Sequence, residues 1–164
     1  MKKLGFLLLS ALFLGGCATT TVSTLAANNN MALVHLSKGM SRCKVLDIMG
    51  SGIKVYDCDK ASSKVPVKVT ISNPYHSEMV ETSGKTLEVM YYVTSLSSKD
   101  CTIGESDLTP LVFEDSKLIG WGSNFLEDVA PGTKPAVKAQ QQPEPMQNTQ
   151  APAPAAAEQK PAAQ

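Results

Sequence analysis

Residues 85–96, "KTLEVMYYVTSL", constrain the fold more than any other stretch of the chain. Leu87, Val89, Tyr91 and Val93 alternate there with Glu88, Met90, Tyr92 and Thr94. A period of two places the first set on one face of an extended strand and the second on the other, giving one apolar and one mixed face. Such a strand needs neighbours, and the sequence supplies them. In "LTPLVFEDSKLIGWG" two apolar segments flank Glu114, Asp115, Ser116 and Lys117 in the pattern of a hairpin, with Pro110 near an edge or strand start. Upstream, "VPVKVTI" alternates Val65, Val67, Val69 and Ile71, and "PYHSEMVETSGK" reads as another extended segment ending in a turn at Ser83 and Gly84.

The segment before the strands reads as helical. Asn30 caps "MALVHLSK", and Gly39 ends it in the left-handed conformation. Ser41 caps "RCKVLDIM", where Val45, Ile48 and Met49 share a face and Met40 staples onto Val45, and Gly50 closes the helix. Asn124, with Glu127 three residues on, starts a last helical turn. Helices first and strands after predict an α+β fold, with two short N-terminal helices packed on one face of a small antiparallel β-sheet.

The flanks differ from this core. Lys2 and Lys3 precede an apolar run from Leu4 to Leu14, too short to cross roughly 30 Å of hydrocarbon. Leu14-Gly15-Gly16-Cys17 resembles a bacterial lipobox, so residues 1–16 are expected to be a lipoprotein signal peptide and Cys17 to carry diacylglycerol and palmitate. With Ala18 rather than aspartate after the cysteine, and a Gram-negative host, the resemblance implies outer-membrane anchoring facing the periplasm. Residues 17–30 read as a flexible tether, 31–131 as the folded domain, and 132–164, rich in Ala, Pro and Gln, as a disordered tail. Loss of Lys2 and Lys3 lowers the basic count from 15 to 13 against 15 acidic residues, and Arg42 is the sole arginine, so no nucleic-acid partner is expected. Of four cysteines, Cys43, Cys58 and Cys101 follow the anchor, which in an oxidising compartment means one disulfide and one free thiol with three pairings open.

The run Gly39-Met40-Ser41-Arg42-Cys43-Lys44-Val45, continuing to Met49-Gly50, is similar to the Gly-Met-Thr, valine, Leu-Gly pattern of the SmpA/OmlA (BamE-like) outer-membrane lipoproteins. "LEVMYYV" and "LVFEDSKLIG" resemble that family's aromatic and final strands. The resemblance implies two helices followed by a three-stranded antiparallel sheet. Residues 51–72 then read as an insertion after the second helix, and Ser116 stands where a glycine is usual. In that meander the insertion and the loop after "YYVTSL" leave from one end, so Cys58 with Cys101 is the pairing the resemblance favours.

Little in the sequence suggests catalysis. His35 and His76 have no metal-ligand spacing, "DCDK" and "GESD" lack the alternation of a calcium loop and read as solvated charge, and neither a serine elbow nor a phosphate loop occurs. No cofactor, metal or small-molecule substrate is expected, and the chain reads as a non-enzyme. His35 reads as a partly buried packing residue. Tyr75, Tyr92 and Trp121 cannot all occupy one buried face and are candidates for an interaction surface, unless Trp121 closes the core at the sheet's end. The resemblance implies a scaffold that binds an envelope protein, in outer-membrane assembly or envelope maintenance. The alternative is a ligand-binding or inhibitory module contacting peptidoglycan or an envelope enzyme.

Overall fold

A computed structural model describes residues 20–59 and 67–135; the expected signal peptide, Cys17 and the chain beyond residue 135 lie outside the described residues. Along the chain run α1 (Val22–Ala32), α2 (Arg42–Met49), β1 (Gly52–Asp57), β2 (Lys68–Asn73), β3 (His76–Thr82), β4 (Lys85–Val93), β5 (Leu108–Glu114), β6 (Lys117–Trp121) and α3 (Ser123–Val129). The fold is α+β. Strands β3 to β6 form a four-stranded antiparallel sheet in chain order, and β1 and β2 form a separate antiparallel hairpin. The sheet thus has one strand more than the resemblance implies, and the apparent insertion is the hairpin.

The alternation in β4 sets the layers. Leu87, Val89, Tyr91 and Val93 are buried against Val22, Leu25 and Ala26 of α1, Ile71 of β2 and Leu126 of α3. Met90 and Tyr92 point the other way, fully buried with Leu111, Phe113 and Leu118 beneath Val45 and Met49 of α2. Helices therefore cover both faces of the sheet, not one. The mixed face contains enough apolar surface in Met90 and Tyr92 to require cover, and at about 25 cal/mol per Å² of buried apolar area α2 is drawn onto it.

The first helix also begins earlier than the sequence suggests. Thr21 is its cap, accepting from the Thr24 amide at 3.1 Å, and α1 covers most of the stretch read as a tether. Val22, Leu25, Ala26 and Asn29, at the i, i+3, i+4, i+7 spacing of one helical face, are its buried residues. By Leu33–His35 the chain has tightened into a single 3-10 turn, leaving Met31, Val34 and His35 exposed. Asn30 is thus inside a helix rather than capping one, and His35 is a surface residue. The second helix is as read: the Ser41 side chain accepts from the Lys44 amide at 3.3 Å, Gly39 has φ 86° and Gly50 φ 79°, and Met40 packs on the cluster that contains Val45.

Both hairpin turns fall where expected. Ser83 and Gly84 have φ 45° and 78°, while Asp115 and Ser116 have φ 49° and 60°. Paired positive φ values match the twist of the flanking strands, but a side chain in that region costs about 1–2 kcal/mol. Replacing Ser116→Gly should therefore stabilise the domain by about 0.5–1 kcal/mol, raising Tm by a few degrees in a thermal melt. Farther along β6, Phe113 faces Leu118 and Val112 faces Gly120, so Ile119 is an extra, bulged residue. A Cβ on Gly120 would lie 2.5 Å from the Phe125 ring, a close approach that only glycine permits.

Candidate functional site

A sheet presents unpaired amides at its edges, and how each edge is treated decides where another chain can dock. The β6 edge is closed by the segment between the first two helices: the Gly39 amide donates to the Leu118 carbonyl at 2.7 Å, the Leu118 amide to the Met40 carbonyl at 2.8 Å, and the Arg42 amide to the Ser116 carbonyl at 2.9 Å. The Gly39-Met40-Ser41 motif is therefore an edge cover as well as a helix junction. Its neighbour Arg42 continues the clamp, with Nε donating to Glu88 Oε1 at 2.9 Å and Oε2 at 3.1 Å across the sheet. At the opposite side β3 is the outer strand and carries Met79, 65 % exposed. The β1–β2 hairpin adds Ile53 and Val55 to the apolar surface.

The three aromatic candidates do not form one surface. Tyr75 is half-buried against the α1 side of the sheet, its amide donating to the Tyr91 carbonyl at 2.8 Å, whereas Trp121 is half-buried against the α2 side. Tyr92 is completely buried and belongs to the core, so it is removed from the candidate surface. Its hydroxyl has no hydrogen-bond partner among the described residues. Burial pushes Tyr92 up to about 12, against the opposing pull of the Arg42 guanidinium. Trp121 closes one side of the core.

Sequence reasoning missed two buried polar centres. Asn29 Nδ2 donates to Asn73 Oδ1 at 3.0 Å and to the Val93 carbonyl at 2.8 Å; Asn73 Nδ2 returns a bond to Asn29 Oδ1 at 3.2 Å and another to the Met49 carbonyl at 2.8 Å. This amide pair joins α1, α2, β2 and β4 at one point. Asp107, expected as solvated loop charge, is fully buried, accepting from the Ser95 hydroxyl at 3.2 Å and from the amides of Ser97 at 2.8 Å and Gly104 at 2.9 Å. Its carboxylate thereby organises the loop between β4 and β5, the loop that carries Cys101. The spacing Gly104-Glu105-Ser106-Asp107, in which a carboxylate reaches back to an amide three residues earlier, is the one local signal that could have revealed it.

Cys58 and Cys101 are bonded, with Cα atoms 5.8 Å apart, and Cys43 is a free, exposed thiol on α2. His76 stacks on Tyr91 with ring centroids 6.0 Å apart, and the Tyr91 hydroxyl donates to Glu78 at 2.6 Å. Burial, and then that bond to Glu78, push the Tyr91 hydroxyl well above its ordinary range. No group of three potential metal ligands converges among the described residues. A cleft of about 270 Å³ lies between Glu105, Pro110, Leu126, Glu127 and Lys134. That is close to the lower end of the usual 300–1,000 Å³ of ligand pockets. Among the described residues no helix is long and apolar enough to cross a membrane.

Over residues 53–128 the chain is similar to a family described as "Protein of unknown function (DUF3192)". The matched span runs from β1 to α3 and includes both bonded cysteines and the hairpin, while the helix junction at Gly39 to Gly50 lies ahead of it. No curated protein matches the chain. No solved structure matches it either.

Proposed function

We propose that this chain is a non-enzymatic lipoprotein, anchored through Cys17 in the periplasmic leaflet of the outer membrane, whose α+β domain is a scaffold for an envelope protein. The observation that carries the reading is the Cys58–Cys101 disulfide, a bond typical of oxidising compartments, in a chain whose N-terminus has the order of a lipoprotein signal. The accessory role in outer-membrane assembly or envelope maintenance follows from the likeness of the Gly39-Met40-Ser41 junction to the BamE-like lipoproteins. The free β3 edge supplies a docking surface of the kind that binds an extended segment by strand addition.

Labelling with a fatty-acid analogue tests the anchor. Wild-type chain should incorporate label and sediment with membranes, and Cys17→Ala should lose the label. Crosslinking in intact cells tests the scaffold: a reproducible protein adduct is expected at Met79, and its absence from membrane extracts would end that part of the reading.

A further inference from the structure

We infer that the outer face of the β1–β2 hairpin rests on the lipid bilayer that holds the anchor. The inference depends on lipidation of Cys17, as proposed above, and begins from where the described chain starts. The Asp57 amide donates to the Thr20 carbonyl at 3.0 Å, and Thr21 bridges in parallel to Asp57, so the N-terminal chain enters alongside the end of β1. Only three peptide links separate Cys17 from Thr20, and at no more than about 3.6 Å per residue they span at most about 11 Å. With α1 occupying what reads as tether, the hairpin has no room to move far from the membrane.

The surface brought there is apolar. Ile53 and Val55 share the outward face of β1 with Asp57, and are 71 % and 57 % exposed. They face Ser72 and Thr70 across the hairpin. Val67, 36 % exposed, lies at the end nearest the entry point, where its carbonyl accepts from the Cys58 amide at 2.8 Å. Among the described residues of the hairpin Lys54 and Lys68 stand with Asp57 and Asp59, and Lys68 Nζ lies 3.9 Å from Asp57; Lys60 and Lys64 lie between the two strands in sequence, making four lysines against two aspartates over residues 52–73. Contact therefore combines apolar burial of Ile53 and Val55 with attraction of the excess lysine charge to anionic headgroups, and only the second part weakens with salt.

So small a face binds weakly in free solution, but tethering converts the contact into an intramolecular one at high effective concentration. The same short tether argues against a protein occupant. A protein layer slid under the hairpin needs roughly 10 Å of packing distance, which is all the length the tether has.

The test places a diazirine amino acid at Val55 or, as control, at Met79 in the full-length chain in intact envelopes. Mass spectrometry then reads both the adducts and the lipid on Cys17. Phospholipid adducts several-fold more abundant at Val55 than at Met79, reduced but not abolished in high salt, are expected. Ile53→Ser with Val55→Ser should leave Tm unchanged and lower phospholipid adducts from a probe at Thr70 several-fold. Adducts to a second copy or to another protein at Val55, or equal lipid labelling at Val55 and Met79 on a chain whose Cys17 is lipidated, overturn the hairpin contact and leave the anchor standing. A Cys17 without lipid overturns the anchor, and this inference with it.

Discussion

Reducing the Cys58–Cys101 bond, or replacing both residues by serine, is expected to destabilise the domain by about 4 kcal/mol, lowering Tm by roughly 15–30 °C in a thermal melt with and without reductant. The bond spans 43 residues, and opening it releases that loop in the unfolded chain. It also frees the hairpin in the folded one, since Cys58 directly follows β1 and Cys101 lies in the loop between β4 and β5. Without the bond the hairpin is held by Tyr56 and Ile71 in the core, by Asn73 at the far end of β2 and by the Asp57 amide on Thr20, so the amides near Cys58, away from Asn73, should be the first to lose hydrogen-exchange protection. Cys43→Ser, on an exposed position, should change stability by less than about 0.5 kcal/mol, and a large effect there would contradict the pairing.

Asn29→Ala should cost about 3 kcal/mol, because it removes three hydrogen bonds and leaves the Asn73 side chain and the Val93 carbonyl short of partners in a buried site. Asn73→Ala should cost a comparable amount through the lost bonds to Asn29 and to the Met49 carbonyl. The double variant should fall short of the sum by more than about 1 kcal/mol, since each single change already breaks the same pair. Chemical denaturation of the four proteins measures this coupling. Additive costs would mean that the two amides act separately.

These two centres explain what the sequence reveals and what it hides. The alternation in β4, the turns at Ser83 and Asp115, the Ser41 cap and the positive φ at Gly39 and Gly50 are local: each is decided by residues within a few positions, and each is legible. The helix α1 is not, because its buried stripe ends in Asn29, whose partner Asn73 lies 44 residues away. A polar residue at a core position weakens the apolar period until that partner is known. Tyr92 is misjudged for a related reason. Its strand shows two faces clearly, but whether the mixed face is wet depends on where α2 lands. Asp107 is similar in kind, a carboxylate that looks solvated until the loop folds around it. Of the candidate site, the cysteine pairing came through a resemblance, and the hairpin's apolar outer face came only with the register of β1 on β2.

The cover over β6 bears on how copies of this protein can meet. With Gly39 and Met40 bonded to Leu118, the four-stranded sheet has one open side among the described residues, at β3. Growth through that sheet alone is self-limiting: two molecules meeting β3 to β3 use up the available edge on each, and a third finds no place to add. Copies of the chain are thereby able to form pairs through this sheet while being barred from extending through it into filaments.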